Sequence, residues 1–250
     1  MLFRVLGKDI CLTHPDRETL FKAVEARFVA NDGFALATLN LDHLVKFRRD
    51  QVFVDAYAEQ DFVVADGNPI VWLSRLSGEN VDLVPGADMV LPLAKLAARH
   101  GVKVALFGAT SDSLSAAASD LEARVPALEI VASVAPQMGF DPGSDEAGRL
   151  LQELDASGAR LVFLALGAPK QEVFAARGRT ETPDLGFASI GAGLDFHSGA
   201  QRRAPRWMRK LALEWAWRMA RAPGRLGPRY VKCMAILPGL VIEALRQRRS

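Results

Sequence analysis

Asp66 is the residue whose sequence surroundings best suit acid or base chemistry. It follows the apolar run FVVA and precedes Gly67, so it stands where a buried strand would end. Asp-Gly is also a common turn signal, and a plain turn is the simpler interpretation. However, Asn68 as a helix N-cap and Pro69 as the first helical residue already account for the turn. The carboxylate is then left to face a crevice, where it could act as a general base.

Thr38 and Asn40 are a second polar pair at the end of a strand-like segment. They alternate with Leu39 in TLNLDH (38–43), so both side chains can point to the same side. A hydroxyl and an amide are suited to binding sugar hydroxyls. The alternative is that Asn40 only caps the next helix and Thr38 is an ordinary strand residue.

Three further strand ends carry glycine turns, in LFGATSDS (106–113), LALGAPKQE (164–172) and IGAGLDFHSG (190–199). Helix N-termini attract anions, Lys170 adds positive charge, and Asp195 could contact a ribose or a base. A tight turn explains any one glycine, whereas three such turns favour a nucleotide or phosphate crevice. The substrate-binding residues predicted from these turns and from the Asp66 turn are Gly67, Asn68, Gly108, Gly167, Pro169, Lys170, Gln171, Glu172, Gly191, Gly193 and Asp195.

Short apolar runs alternate with helical stretches along the body of the chain. The runs 34–40, 61–66, 103–109, 129–135, 160–167 and 186–193 predict strands covered on both faces. Helical spacing in the segments between them indicates a mostly parallel, doubly wound α/β sheet. In such sheets ligands bind at the carboxyl ends of the strands, where the polar residues above are found.

Charge divides the chain at about residue 201. Residues 1–201 hold 18 Lys and Arg against 27 Asp and Glu, a net charge of −9, whereas residues 202–250 hold 13 against 2, a net of +11. We therefore expect a catalytic domain over 1–200 and a basic helical C-terminal appendage over 201–250. Such a tail suits an anionic partner: a membrane surface, a phosphorylated ligand or nucleic acid.

The tail itself predicts a helix with Trp207, Leu211, Trp215 and Arg218 roughly along one face, interrupted by Pro223 and Pro228. Its apolar patch CMAILPGLVI is too short to span a bilayer. Two cysteines and no secretory leader indicate a cytoplasmic protein. The sequence also lacks an Asp-x-Asp pair and any zinc-ligand spacing, so we expect no metal and no cofactor.

Taken together, the segments TLNLDH, ADGNPIVW, LFGAT, LALGAPKQE, IGAGLDFHSG, RRAPRWMRKLALEWAWR and APGRLGPRY resemble the WecG/TagA/CpsF glycosyltransferases, family 26 of the sugar transferases. They occur in family order over residues 34–230. The resemblance implies a Rossmann-like enzyme that transfers a sugar from a UDP-sugar to a polyprenyl-diphosphate-linked saccharide. Inversion at the anomeric carbon, no essential metal and a place in bacterial cell-surface polysaccharide synthesis are implied as well.

The resemblance also implies residue roles. Asp66 matches the family's proposed base, Thr38 and Asn40 fall at the acceptor and sugar subsite, and Gln171 and the glycine turns fall around the sugar nucleotide. The C-terminal appendage closes the site and contacts the inner leaflet, so the protein would be peripherally bound to the cytoplasmic membrane. The arginines that match the family's diphosphate contacts are Arg218, Arg225 and Arg229. Gly224 and Pro228 stand where relatives often carry arginines, which leaves the choice among these arginines open.

Two other function classes would also explain parts of the pattern. A nucleotide-dependent oxidoreductase shares glycine turns after strands, but the full Gly-x-Gly-x-x-Gly fingerprint is absent from the sequence. A nucleic-acid-binding protein would explain the basic tail, but the tail lacks the alternation of aromatic and basic residues found in base-stacking surfaces. We therefore expect no nucleic-acid partner, while a homo-oligomer stays possible on this sequence.

Overall fold

The computed structural model describes residues 1–201 and 203–248, without the side chains of Arg206, Lys210 and Arg225. It contains a short N-terminal hairpin, a six-stranded sheet with helices on both faces, and a helical C-terminal segment. The strands are β1 Leu2–Val5, β2 Lys8–Cys11, β3 Phe34–Leu39, β4 Phe62–Ala65, β5 Val104–Gly108, β6 Ile130–Val134, β7 Leu161–Ala165 and β8 Gly186–Ser189. The helices are α1 Arg17–Ala30, α2 Leu41–Phe47, α3 Gln51–Ala58, α4 Asn68–Leu76, α5 Gly86–Arg99, α6 Ser111–Arg124, α7 Asp145–Ala156, α8 Lys170–Glu181, α9 Gly193–His197, α10 Arg206–Lys210, α11 Glu214–Arg221 and α12 Pro223–Gln247.

The main sheet is parallel throughout, in the order β4-β3-β8-β7-β5-β6. The chain first moves outward from β3 to the β4 edge, then crosses to β5 and β6 and returns through β7 to β8. This reversal places the carboxyl ends of β4, β3, β8 and β7 side by side, which is where ligands bind in doubly wound folds. The predicted α/β class and all six predicted strands are confirmed, with ends that differ by up to four residues.

Alternate residues of the strands fill cores on the two faces of the sheet. Phe34 and Leu36 of β3 pack with apolar residues of α1, α5, α6 and α9. Ala35 faces the opposite side, with α7 and α8, and Ala37 and Leu39 pack there with α2, α3 and α4. Burial on both faces is why these strands read as continuous apolar runs in the sequence.

Polar side chains at the helix starts explain several turns. Asp16 accepts a hydrogen bond from the Thr19 N–H at the start of α1, and Ser144 accepts one from the Ala147 N–H at the start of α7. Thr110 and Asp50 cap α6 and α3 in the same way. Such caps satisfy backbone donors that an isolated helix end leaves without partners.

The last helix, α12, shares the core of the sheet domain. Cys233, Ile236, Leu240 and Ala244 are buried at helical spacing and pack in the same cluster as α2, α3 and α4. The expected interruption at Pro228 is wrong: Pro223 is at the start of the helix, and Pro228 lies within it. Pro228 is exposed, so the backbone carbonyl that lacks its N–H partner can be solvated.

The N-terminal hairpin and the lengths of the helices complete the description of the fold. The hairpin of β1 and β2 was not predicted, because only Phe3 and Ile10 are buried in it and its other positions are more exposed. Within residues 1–201 and 203–248, no helix has the length and apolarity needed to cross a bilayer.

Candidate active site

Asp66 lies directly at the carboxyl end of β4. Its N–H donates to the Leu39 carbonyl oxygen of β3 at 2.7 Å, so the backbone is fixed by the sheet up to this residue. Gly67 follows with φ +115°, a conformation that favours glycine, and the chain enters α4. The N-cap is Gly67, and Asn68 is already helical, so the prediction that Asn68 caps α4 is wrong by one residue.

The side chain of Asp66 is partly buried and touches Thr38. Thr38 Oγ1 donates to Asp66 Oδ2 at 3.4 Å. Burial raises the pKa of Asp66 to about 6, an effect that the positive charge of Arg218 and the Thr38 hydrogen bond oppose and that Glu214 and Asp88 reinforce. A carboxyl group with this pKa is mostly ionised at neutral pH but can still hold a proton, as a general base must.

Asn40 lies beside this turn and caps α2. Its Oδ1 accepts from the Asp42 and His43 N–H groups at 3.1 and 3.2 Å, and its Nδ2 lies 3.3 Å from His43 Nε2. Burial lowers the pKa of His43 to about 3, so this imidazole is neutral. Tyr57 Oη is 3.5 Å from its other ring nitrogen. The capping role that we set against a substrate role is therefore present, and it occupies the carbonyl end of Asn40.

The turns after β7 and β8 are joined by one side chain. Gln171 is buried, and its Oε1 accepts from the Gly167 N–H and the Gly191 N–H, both at 3.2 Å. Neither glycine has a neighbour within 4 Å of the place where a Cβ would stand, so both turns border open space. Gln171 thus organises the two turns from behind, rather than facing the crevice with its carbonyl group.

The remaining glycines of the predicted crevice have packing roles. A Cβ on Gly108 would stand 2.6 Å from the Ala165 carbonyl carbon of the neighbouring strand. A Cβ on Gly193 would stand 3.0 Å from a methyl group of Val90. These two positions need glycine for close approach of the chain, independently of any ligand.

Charged residues of the crevice turns also have partners within the chain. Pro169 is the N-cap of α8, and Lys170 Nζ donates to the Phe140 carbonyl oxygen at 2.6 Å. Asp195 Oδ2 accepts from Gln201 Nε2 at 2.7 Å. Glu172 is fully buried, and burial raises its pKa to about 7.

The three arginines expected at the diphosphate are in different situations. Arg218 is close enough to Asp66 to lower the pKa of that carboxyl group. Arg229 Nε pairs with Asp42 Oδ1 at 3.1 Å, and Asp42 also pairs with Lys46 Nζ at 3.0 Å, which ties α12 to α2. The side chain of Arg225 lies outside the described part of the structure.

A family model described as the glycosyl transferase WecG/TagA/CpsF family matches residues 3–250. This chain belongs to that family. It is also 26% identical over 220 residues to a Bacillus subtilis (strain 168) protein named N-acetylglucosaminyldiphosphoundecaprenol N-acetyl-beta-D-mannosaminyltransferase, an alignment that covers 87% of this chain and 81% of the relative. The resemblance drawn from the motifs is confirmed, and the protein is a glycosyltransferase rather than an oxidoreductase or a nucleic-acid-binding module.

Sequence reasoning missed several charged residues around Asp66 in this WecG/TagA/CpsF glycosyltransferase. Asp88, in the first turn of α5, pairs with Arg203 and lies 4.0 Å from Arg209 Nη1. Arg203 and Glu214 were within the motif that carried the resemblance, but nothing in their spacing singled them out. Asp88 had no signal in the sequence, because only the packing of α5 against the end of β8, where Gly86 meets Ile190, brings it near.

Two further observations concern a surface groove and the grouping of side chains that could bind a metal. A groove of about 860 Å³ lies between α1, the segment before α5, and α5, and includes Asp16, Lys22, Asp82 and Asp88 in its lining. The lining of this groove does not include Asp66 or Thr38. Among the described residues, no three His, Cys, Asp or Glu side chains come together as metal ligands would.

Proposed function

We propose that this glycosyltransferase moves a sugar from a UDP-sugar to a polyprenyl-diphosphate-linked saccharide in cell-surface polysaccharide synthesis, with inversion of the anomeric carbon and without an essential metal. The name of the Bacillus subtilis relative supports the acceptor class, since that protein acts on N-acetylglucosaminyldiphosphoundecaprenol. The observation that carries the proposal is the position of Asp66, which directly follows β4. Its carboxyl group contacts Thr38 and has a pKa raised to about 6 by burial.

Asp66 is the general base of the proposed reaction. Its carboxylate takes the proton of the acceptor hydroxyl while that oxygen attacks the anomeric carbon of the donor. The bond between that carbon and the diphosphate oxygen breaks, and UDP leaves with the electron pair. Attack from the side opposite the leaving group inverts the configuration, which needs a single base and no covalent sugar–enzyme intermediate.

Negative charge then develops on the departing diphosphate. The charges of Arg218 and Arg203 both interact with Asp66, but Arg203 already pairs with Asp88, so we assign Arg218 to the diphosphate. Arg229 is less suited to this role, because Asp42 already holds it. Arg225 stays a candidate. A guanidinium group forms paired hydrogen bonds with phosphate oxygens and stabilises charge in a site where water is excluded.

The direct test replaces Asp66 by Asn, which keeps the shape of the side chain but cannot take a proton. We expect transfer to fall by roughly 10²–10⁴-fold, the usual contribution of a general base, with binding of UDP nearly unchanged. Transfer is measured by mass spectrometry of a short-chain polyprenyl-diphosphate acceptor against a panel of UDP-sugars. Asp155→Asn, an exposed carboxylate near the end of α7, is the matched control. Wild-type turnover by Asp66→Asn would remove the base assignment.

Peripheral docking on the inner leaflet is the second part of the proposal. Trp207, Leu211 and Trp215 of the basic C-terminal segment are exposed apolar residues. Basic residues near an anionic surface contribute about 1 kcal/mol each, and tryptophan favours the interface. Deleting the whole segment would also remove the core residues of α12, so point substitutions are the cleaner experiment.

We expect a Trp207→Ser/Trp215→Ser variant to bind phosphatidylglycerol-rich vesicles several-fold more weakly in co-sedimentation, as apolar area is lost from the interface. Val29→Ser is the control, because Val29 is also an exposed apolar residue but lies near the end of α1, outside the C-terminal segment. Equal sedimentation of the double variant and the wild type would contradict docking through this face.

A further inference from the structure

Gln171 is oriented by the chemistry of its amide group. Its Oε1 faces two backbone N–H donors, those of Gly167 and Gly191. The reverse orientation would point the NH₂ group at the same two donors, which cannot form hydrogen bonds. An acceptor that holds the NH₂ group on the opposite side would therefore fix the amide in its working orientation.

Glu172 supplies that acceptor. Gln171 Nε2 donates to Glu172 Oε1 at 2.8 Å. The backbone of Glu172 is itself held by the segment that follows α3, because its carbonyl oxygen accepts from Gln60 Nε2 at 3.2 Å. Glu172 is completely buried, so it cannot touch a substrate in the crevice. Its effect on the crevice must pass through Gln171.

The surroundings of the second carboxyl oxygen of Glu172 favour the protonated, uncharged form of this side chain. Oε2 is buried without a hydrogen-bond partner among the described residues. Burial raises the pKa of Glu172, while the hydrogen bond from Gln171 and the charge of Lys46 on α2 oppose that rise. A neutral carboxyl group still accepts from Gln171 through its carbonyl oxygen, so the contact with Gln171 does not require a buried charge.

We propose that Glu172 is a positioning residue that, through Gln171, sets the separation of the Gly167 and Gly191 turns at the donor crevice. This rests on the proposed function for the statement that the crevice takes the UDP-sugar. The two turns follow neighbouring strands, β7 and β8, and one amide oxygen bridges them. Loss of the acceptor at residue 172 frees the amide to rotate, and the two turns separate.

The experiment measures the turns and the ligand separately. Hydrogen–deuterium exchange is followed by mass spectrometry in peptides that contain Gly167 or Gly191, and UDP alone is titrated by calorimetry. In Glu172→Leu, we expect both peptides to exchange about tenfold faster and UDP to bind about tenfold more weakly, each corresponding to one lost hydrogen bond of about 1.4 kcal/mol. Glu172→Gln keeps the carbonyl acceptor and restores both values.

Controls separate positioning from general loss of stability. Phe174→Leu, on the same helix, opens a gap in the core where Phe174 stacks on Phe107 at 4.5 Å, and it should leave the exchange of the two turns unchanged relative to other peptides. Gln171→Met removes the bridging amide and should reproduce the effect of Glu172→Leu, which provides a second variant if Glu172→Leu does not fold.

The outcomes are distinct. Wild-type exchange of both turns in Glu172→Leu or in Gln171→Met overturns the positioning role. A failure of Glu172→Gln to restore exchange overturns it as well. Absence of UDP binding by the wild-type protein contradicts the proposed function instead, and the exchange data still decide whether Glu172 holds the turns.

Discussion

Asp66 follows β4 and Glu172 lies in the first turn of α8, after β7, and burial raises the pKa of both carboxyl groups, to about 6 and about 7. They differ in what surrounds them. Asp66 is partly exposed, receives a hydrogen bond from Thr38 and is near the positive charge of Arg218. Glu172 is fully buried, contacts Gln171 and has one oxygen without a partner among the described residues.

The difference shows that a raised pKa does not by itself mark a catalytic group. Perturbed carboxyl groups are common at active sites, but structural groups in protein cores are perturbed by the same desolvation. Partial exposure at the crevice distinguishes Asp66, which is why we propose it as the group that exchanges a proton with the substrate. Glu172 can act only on protein atoms.

The largest expected difference is in kcat, when each of the two carboxyl groups is replaced by its amide. Asp66→Asn should lower kcat by roughly 10²–10⁴-fold, whereas Glu172→Gln should keep most of the activity because its amide oxygen still accepts from Gln171. The pH dependence gives a second readout. Asp66 must be ionised to act, so kcat/KM should rise as the pH increases through about 6 and level off above it. Glu172→Gln should retain this rise; its disappearance in that variant would assign the proton transfer to Glu172.

Arg218 and Arg229, two of the arginines expected at the diphosphate, differ in their partners and give a second comparison. Arg218→Ala removes a cation beside the base, and we expect transfer to fall by about 10²-fold, in the range found when one donor to a developing negative charge is lost. The rise of kcat/KM should also move to higher pH, because Arg218 lowers the pKa of Asp66. Arg229→Ala breaks the pair with Asp42 and should mainly lower the melting temperature. Equal kinetic effects of the two variants would contradict separate roles.

The sequence was sufficient to predict the strands of the main sheet but not the helices of the C-terminal segment. Strands such as β3, where all six residues are buried, leave a continuous apolar run that predicts them directly. The hairpin of β1 and β2 has too few buried positions to leave such a pattern. Pro228 was predicted to interrupt the helix, because the sequence cannot show that this proline is exposed and thus tolerated within α12.

For the candidate site, the sequence predicted where residues lie in the fold better than it predicted their hydrogen-bond and ion-pair partners. Asp66, Thr38 and the glycine turns were placed at the strand ends by the alternation of strands and helices alone. The bond between Gln171 and Gly191, and the pair of Asp42 and Arg229, depend on how distant segments pack, which has no local signature. Residues predicted to bind substrate, such as Lys170 and Asp195, have intramolecular partners for the same reason.

The smallest expected effect is on stability, and it tests the burial of Glu172 directly. The pKa of Glu172 is about 7 in the folded protein, whereas its ordinary value, which applies to the unfolded chain, is 4.5. Between pH 4.5 and pH 7 the folded state therefore binds more protons than the unfolded state. Stability should therefore fall as the pH rises from about 4.5 to 7, by about 3 kcal/mol for a gap of this size. Glu172→Gln does not titrate, so the loss of stability across this window should be shallower in that variant than in the wild type. Urea unfolding at a series of pH values measures the difference, with Glu153→Gln, an exposed residue of α7, as the matched control. Parallel curves for Glu172→Gln and the wild type would show that Glu172 is solvated, and the contrast with Asp66 would then fail.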